Sequence, residues 1–252
     1  MKKILSIGDI HYPDQHTPTL SIFKQVVKDT KPDIIVFGGD EINADGISRF
    51  TAKTGMNGIH DTEKELKGFR KDIYNPIYKL AKKANRKVEF VNVGGNHFNQ
   101  RKLDLLEKLE QKQEYGIAEY VRTRLDKSIY MPDCVMLEYN DFFKFGKLCY
   151  THGENVCDNH AKKTVLTWGA NVIYFHTHTA QLYTNCSKVN EPHQAISNPC
   201  ACNRNPDYMK KRSNKWVNGF GVTYFDEDGN FWHYIINIID NKTIFNNKVY
   251  NG

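Results

Sequence analysis

The 252-residue sequence has no apolar run approaching the roughly 18–20 residues that cross a bilayer. Met1-Lys2-Lys3 opens like a secretory leader, but the apolar stretch stops at Gly8-Asp9 with no cleavage pattern. None of the six cysteines forms a C-x-x-C pair, which excludes zinc-finger and thioredoxin readings on spacing. Free thiols in a reducing compartment are the expectation. Internal repeats and low-complexity linkers are lacking. A strong excess of charge is lacking too: Lys+Arg 35 against Asp+Glu 29 leaves +6, weak evidence for an anionic partner when spread over the whole chain. Hydrophobic residues at 40% and charged residues at 25% exclude a disordered or fibrous chain. The expectation is a soluble protein of the cytoplasm with no membrane partner, folded as a single domain over residues 1–252.

What is present is a repeated pattern of apolar runs ending in polar residues. Lys3 to Ile7 reads as a first strand tipped by Asp9 and His11. Thr17-Pro18 suits a helix start, with Thr17 as cap. Asp33 to Phe37 is a buried-type strand ending at Gly38-Gly39-Asp40. Residues 41–60 read as a long surface loop, and the Thr62 capping box opens a helix to about Lys83. A third strand over Val88–Val93 ends at Gly94-Gly95-Asn96-His97. One helix is expected over about Lys102–Leu125. Hairpin-like pieces follow at Val135–Tyr139, Phe142–Phe145 and Lys147–Thr151, the last leading to His152. A helix over about Asp158–Trp168 and a strand over Asn171–Phe175 lead to His176-Thr177-His178. Strand–helix units followed by β-rich structure point to an α/β domain with two packed sheets.

The polar strand ends therefore carry Asp9, His11, Asp40, Asn96, His97, His152, His176 and His178. Ligand sites of open α/β sheets lie at carboxyl strand ends. Carboxylate, imidazole and amide oxygen together suit borderline divalent cations: Mn²⁺ first, with Fe²⁺, Zn²⁺, Ni²⁺ or Mg²⁺ compatible. Residues two apart in extended chain face one way, so Asp9/His11 and His176/His178 can each aim two ligands together. Even without His97, the other seven are too many for one tetrahedral ion and suit two ions sharing a carboxylate.

The order Asp9-Ile10-His11, Gly39-Asp40, Gly95-Asn96-His97, His152-Gly153, His176-Thr177-His178 resembles that of the calcineurin-like metallophosphoesterases. The stretches 198–202, 206–209 and 214–220 further resemble phage and prophage members, which implies host cytoplasm for a phage-encoded protein. The resemblance implies a four-layer αββα sandwich of two mixed β-sheets, with the site at the C-terminal strand tips. It implies a first metal on Asp9, His11, Asp40 and His178, and a second on Asp40, Asn96, His152 and His176. His97 would serve near the substrate as phosphate stabiliser or general acid. Two ions lower the pKa of a bridging water enough to give hydroxide near pH 7 and neutralise phosphoryl oxygens. Many members carry an acid after Asn-His, where this chain has Phe98; Glu154 or Asp14 would then orient His97. The usual glycine before His-x-His is Phe175. No Asp-Arg-Gly follows the second motif, which disfavours a phosphoprotein phosphatase.

Lys210, Lys211 and Arg212 lie beside Tyr208 and Trp216 in a basic, aromatic stretch over 198–220, a pattern suited to single strands or nucleotides. Arg101 lies just past the His97 loop, within reach of a phosphate. The Cys200-x-Cys202 pair has no companion ligand in sequence. The expected activity is two-metal hydrolysis of a phosphodiester in nucleic acid or a nucleotide. Phosphomonoesterase or cyclic-nucleotide phosphodiesterase activity is the alternative within the class. A metal-binding scaffold without catalysis is the alternative outside it.

Overall fold

A computed structural model describes residues 1–48, 56–189, 191–206, 210 and 212–252. Strands β1 (Lys2–Ile7), β2 (Ile34–Phe37), β3 (Glu89–Gly94) and β4 (Cys134–Tyr139) run parallel. They share a sheet with antiparallel β10 (Gly219–Phe225) and β11 (Phe231–Asn237), in the order β11-β10-β1-β2-β3-β4. A second sheet has the order β5-β6-β7-β9-β8. It is built from β5 (Phe143–Phe145), β6 (Leu148–Tyr150), β7 (Asn171–Tyr174), β8 (Gln181–Asn185) and β9 (His193–Ser197). Strands β6, β7 and β9 are parallel there.

Alternation along the strands makes the layers. Leu5, Ile7, Ile35 and Phe37 face one core. That core is shared with α1 (Thr17–Thr30), α2 (Met56–Phe69), α3 (Asn75–Ala84), α4 (Arg101–Gln111) and α5 (Tyr115–Ile129). Ile4, Ile34 and Val36 point the other way, against Tyr150, Ile173, Phe175 and Ile196 of the second sheet. A third core packs α6 (His160–Trp168) onto the far face of that sheet through Ala161, Val165, Val172 and Ala195. Helices, sheet, sheet, helix is the expected four-layer sandwich. A hairpin of β12 (Lys242–Phe245) and β13 (Lys248–Asn251) adds Phe245 and Tyr250 beneath α1.

Several expected boundaries move. Helix α2 begins at Met56, so the expected 41–60 loop ends early and Thr62 lies inside the helix, its hydroxyl donating to the Gly58 carbonyl. Residues 41, 42, 44 and 46–48 are buried, so the start of that stretch is packed rather than a surface loop; 49–55 lie outside the described residues. A π-helical turn at Arg70–Tyr74 joins α2 to α3, where Pro76 breaks the regular ladder. The expected 102–125 helix is two helices, broken near Lys112–Glu114. Val135–Tyr139 belongs to parallel β4 rather than a hairpin. His16, not Thr17, occupies the cap position of α1. Helix α6 stops as expected at Gly169, which is left-handed.

Candidate metal centre

Parallel strands of both sheets end on the same side. Asp9 and His11 follow β1, Asp40 follows β2, and Asn96 and His97 follow β3. His152 follows β6, while His176 and His178 follow β7. Asp9, His11 and His178 come together, as do Asp40, His152 and His176, and also His11, Asp40 and His97. The expected convergence at the tips is therefore present, but the route differs. Asp9, His11, Asp40, His176 and His178 all have positive φ, from 48° to 73°. Left-handed backbone, not continued strand, turns these side chains inward, a strain that surrounding structure must hold. His176 and His178 consequently point into different groups.

Asp40 is the hub. Its Oδ2 lies 3.2 Å from His152 Nε2, 3.9 Å from His11 Nε2 and 4.0 Å from His97 Nε2. Its Oδ1 accepts the His97 backbone N–H at 2.8 Å. The turns around it tolerate no side chain. A Cβ on Gly95 would lie 2.2 Å from Asp40 Oδ1, and Gly39 is left-handed at φ 85° with a Cβ position 2.6 Å from His152 Nδ1. Asn96 Oδ1 lies 2.9 Å from both His152 Nε2 and His176 Nδ1. Asp9 Oδ2 accepts the His176 N–H at 2.9 Å. Asp9 Oδ1 is buried, has no hydrogen-bond partner, and faces His178 Nε2 at 3.6 Å.

Outer partners fix which ring nitrogen faces inward. The His152 Nδ1–H donates to the Gly38 carbonyl at 2.7 Å, and the His97 Nδ1–H to the Asn43 carbonyl at 3.1 Å. A carbonyl only accepts, so each ring is protonated at Nδ1 and presents Nε2 to Asp40. His11 Nδ1 meets Asn43 Oδ1 at 3.2 Å, and Asn43 Nδ2 in turn donates to Asp14 at 2.6 Å. His178 Nδ1 meets Cys202 Sγ at 3.8 Å. Ligating histidines are typically held this way by their second nitrogen.

Charge follows the same pattern. Burial works to raise Asp40, but His152, His97 and His11 around it hold its carboxyl well below the usual range. Burial raises Asp9 well above that range. Burial also pushes His11 down to about 3 and His176 to about 4, leaving neutral donors at pH 7. His152 is raised to about 9: burial opposes its charge, but the Asp40 carboxylate overrides it. A proton there must leave before Nε2 can ligate. An orphaned carboxylate oxygen, neutral imidazoles and an amide oxygen fit divalent cations.

Asn43 is the residue that sequence reasoning missed. Glu154 is exposed, and the Asp14 carboxylate accepts from Asn43, which holds His11 and His97. Phe98 is buried in the helical core, so the position after His97 anchors the turn and orients nothing. Arg101 donates to the Asn43 carbonyl at 2.5 Å and pairs with Asp45 at 3.3 Å, so it braces the loop that holds His97. Trp216 packs edge-on against His178, with ring centroids 4.2 Å apart. Lys210 and Arg212 are exposed, while Tyr208 and Lys211 lie outside the described residues. Cys200 and Cys202 do gain a companion in space, His178.

The structure is similar to Vacuolar Protein Sorting 29 from Cryptosporidium parvum (14% identity, covering 100% of this chain and 98% of that one, TM-score 0.48). It is also similar to Vps29 from Entamoeba histolytica complexed with Zn²⁺ (12%, 99% and 98%, TM-score 0.46) and to YfcE, a phosphoesterase from E. coli (12%, 92% and 98%, TM-score 0.37). No curated protein matches the sequence. The family model for calcineurin-like phosphoesterases matches residues 2–224, from β1 through β10 and so across every strand tip described above. The chain belongs to the calcineurin-like phosphoesterase family.

Proposed function

We propose that the chain is a two-metal phosphodiesterase acting on nucleic acid or nucleotides, folded as a single domain. Membership of the family supports metal-dependent phosphoester hydrolysis. The observation that carries the two-ion reading is Asp40, whose one carboxylate oxygen faces histidines from three strand tips. Asp9, His11, Asp40 and His178 would hold one ion, and Asp40, Asn96, His152 and His176 the other, with Mn²⁺ as the expected metal. Bound ions would supply Lewis-acid neutralisation of the phosphoryl oxygens and acidify an attacking water.

The chain's own residues do the rest. Of the three histidines that face Asp40 Oδ2, His97 is the most exposed, at 27%. Its Nδ1–H is fixed on the Asn43 carbonyl, so a second proton taken up at Nε2 is the one it would give to the departing oxygen. Asn43, itself gripped by Asp14 and Arg101, keeps His11 and His97 aligned. Lys210, Lys211 and Arg212, with Tyr208 and Trp216, would meet the anionic substrate; their charge and aromatic character favour nucleic acid or a nucleotide. A phage-encoded enzyme of the host cytoplasm completes the proposal, resting on the likeness of 198–202, 206–209 and 214–220 alone.

The test is Mn²⁺-loaded protein assayed on bis(p-nitrophenyl) phosphate, p-nitrophenyl phosphate, single-stranded DNA and RNA. Diester turnover is expected. Turnover of the monoester alone would sink the diesterase reading, and ion binding with no turnover would leave a scaffold.

A further inference from the structure

Beside His176 lies a cavity of about 600 Å³, bounded by Val156, His160, Thr177, Gln181 and Trp216. Its size falls in the roughly 300–1,000 Å³ range of small-ligand sites, enough for one nucleoside but not a strand. The Trp216 wall is fixed: Val217 N–H donates to the His178 carbonyl at 2.8 Å, and Trp216 N–H to Asn214 Oδ1 at 3.0 Å. Its indole packs against His178 with ring centroids 4.2 Å apart, so the same ring touches the candidate metal group and walls the cavity.

His160, Thr177 and Gln181 of the lining are already engaged by neighbouring groups. His160 bridges the Tyr174 hydroxyl at 2.6 Å and Thr179 Oγ1 at 2.8 Å, and Thr177 Oγ1 meets Ser197 Oγ at 2.9 Å. Gln181 accepts the Ala161 N–H at 2.7 Å and donates to the Asp158 carbonyl at 3.0 Å. With those side chains paired, selection in the cavity falls to ring stacking more than to hydrogen bonding. A flat ring would be held there by Trp216, with Val156 and Val217 as apolar walls. At the rim, Lys215 pairs with Asp158 at 2.7 Å with both side chains exposed, a weak contact that leaves the ammonium able to turn toward a phosphate.

We infer that this cavity receives the base of a nucleotide whose phosphate sits at the strand tips, with Trp216 as the specificity-determining contact. The inference rests on the hydrolytic reading and narrows its substrate to a nucleotide unit. Two diesters with the same leaving group test it: the p-nitrophenyl ester of thymidine 5′-monophosphate, and methyl p-nitrophenyl phosphate. Wild-type protein should favour the thymidine ester in kcat/KM by about tenfold or more, and Trp216→Ala should cut that preference by about tenfold, the usual worth of a base stack. Ala180→Trp, which adds bulk to the cavity wall, should do the same. Equal kcat/KM for both esters, or a preference that survives both variants, overturns the inference and leaves the hydrolytic reading intact. If neither ester is cleaved, calorimetric titration of the metal-loaded protein with thymidine 5′-monophosphate separates the two. Binding weakened about tenfold by either variant upholds the cavity against a failed hydrolytic reading; binding that ignores both variants overturns the cavity as well.

Discussion

At the scale of single residues, His97 and Asn43 divide between chemistry and positioning. His97→Ala is expected to slow diester hydrolysis by roughly 10²-fold or more while ion content stays at the wild-type level. Loss of ions in that variant, read by metal analysis after dialysis, would make His97 a ligand and contradict its role. Asn43→Ala should instead weaken ion binding by about 10–100-fold, because His11 loses the side-chain oxygen that fixes its ring, while the backbone carbonyl that holds His97 stays. A competition titration with a metal indicator reads this directly. The contrast shows what the sequence could reveal. Asp9, Asp40, Asn96 and the histidines stand out because each ends an apolar run. Asn43 follows no such run, and its role exists only because its loop folds back over His11 and His97. The inward aim of Asp9 and His11 was legible, but its cause was not: alternation along a strand predicted it, whereas left-handed backbone produces it.

At the scale of elements, the joint between the sheets depends on a large residue where the family pattern expects a small one. Phe175 is fully buried between the sheets, its ring lying over Gly8 and Gly38. A Cβ on Gly38 would come within 2.4 Å of that ring, and one on Gly8 within 2.6 Å. The glycines that precede Asp9 and Asp40 thus make room for Phe175, three tips packed as one unit. Phe175→Ala should cost about 3–5 kcal/mol by urea unfolding, and Gly38→Ala about 1–3 kcal/mol. In the Phe175→Ala background the Gly38→Ala cost should shrink, since its obstacle is gone. Strictly additive losses would show the two sites to be independent. The glycines and Phe175 are all visible in the sequence, but their complementarity needs both sheets in place. Element boundaries show a related limit: buried strands were legible from continuous apolar runs, while the break between α4 and α5 near Lys112–Glu114 was not.

At the scale of the whole molecule, a directed chain of hydrogen bonds ties the sheets together. The Tyr150 hydroxyl donates to Thr223 at 2.9 Å, Thr223 to His233 Nδ1 at 2.9 Å, His233 Nε2–H to Asn198 Oδ1 at 2.9 Å, and Asn198 Nδ2 to Ser6 at 2.9 Å. The chain requires neutral His233, and burial holds that ring down to about 3. Below about 6.5 the unfolded chain binds a proton there that the native protein refuses until about pH 3. Stability from this group is therefore complete above about pH 6.5 and falls as pH drops through that window. Urea midpoints of the metal-free protein at pH 7, 5 and 4 should decline, and His233→Gln should flatten the slope; an unchanged slope would remove His233 as its source. Among the described residues no helix is long and apolar enough to cross a membrane. Fold class and the set of strand-tip residues were thus readable from one sequence, because period and residue type are local. The cavity beside His176 was not, because its walls come from segments far apart in the chain. The net charge of +6 also misleads, since bound ions would add about four positive charges at the tips before any hydroxide is counted. Counting those ions is the most direct test. Wild-type protein equilibrated with Mn²⁺ and dialysed should retain about two ions per chain and cleave bis(p-nitrophenyl) phosphate, whereas Asp40→Asn should retain fewer and show no turnover. Near-normal turnover in Asp40→Asn, or full wild-type activity with a single ion bound, would contradict the two-metal account.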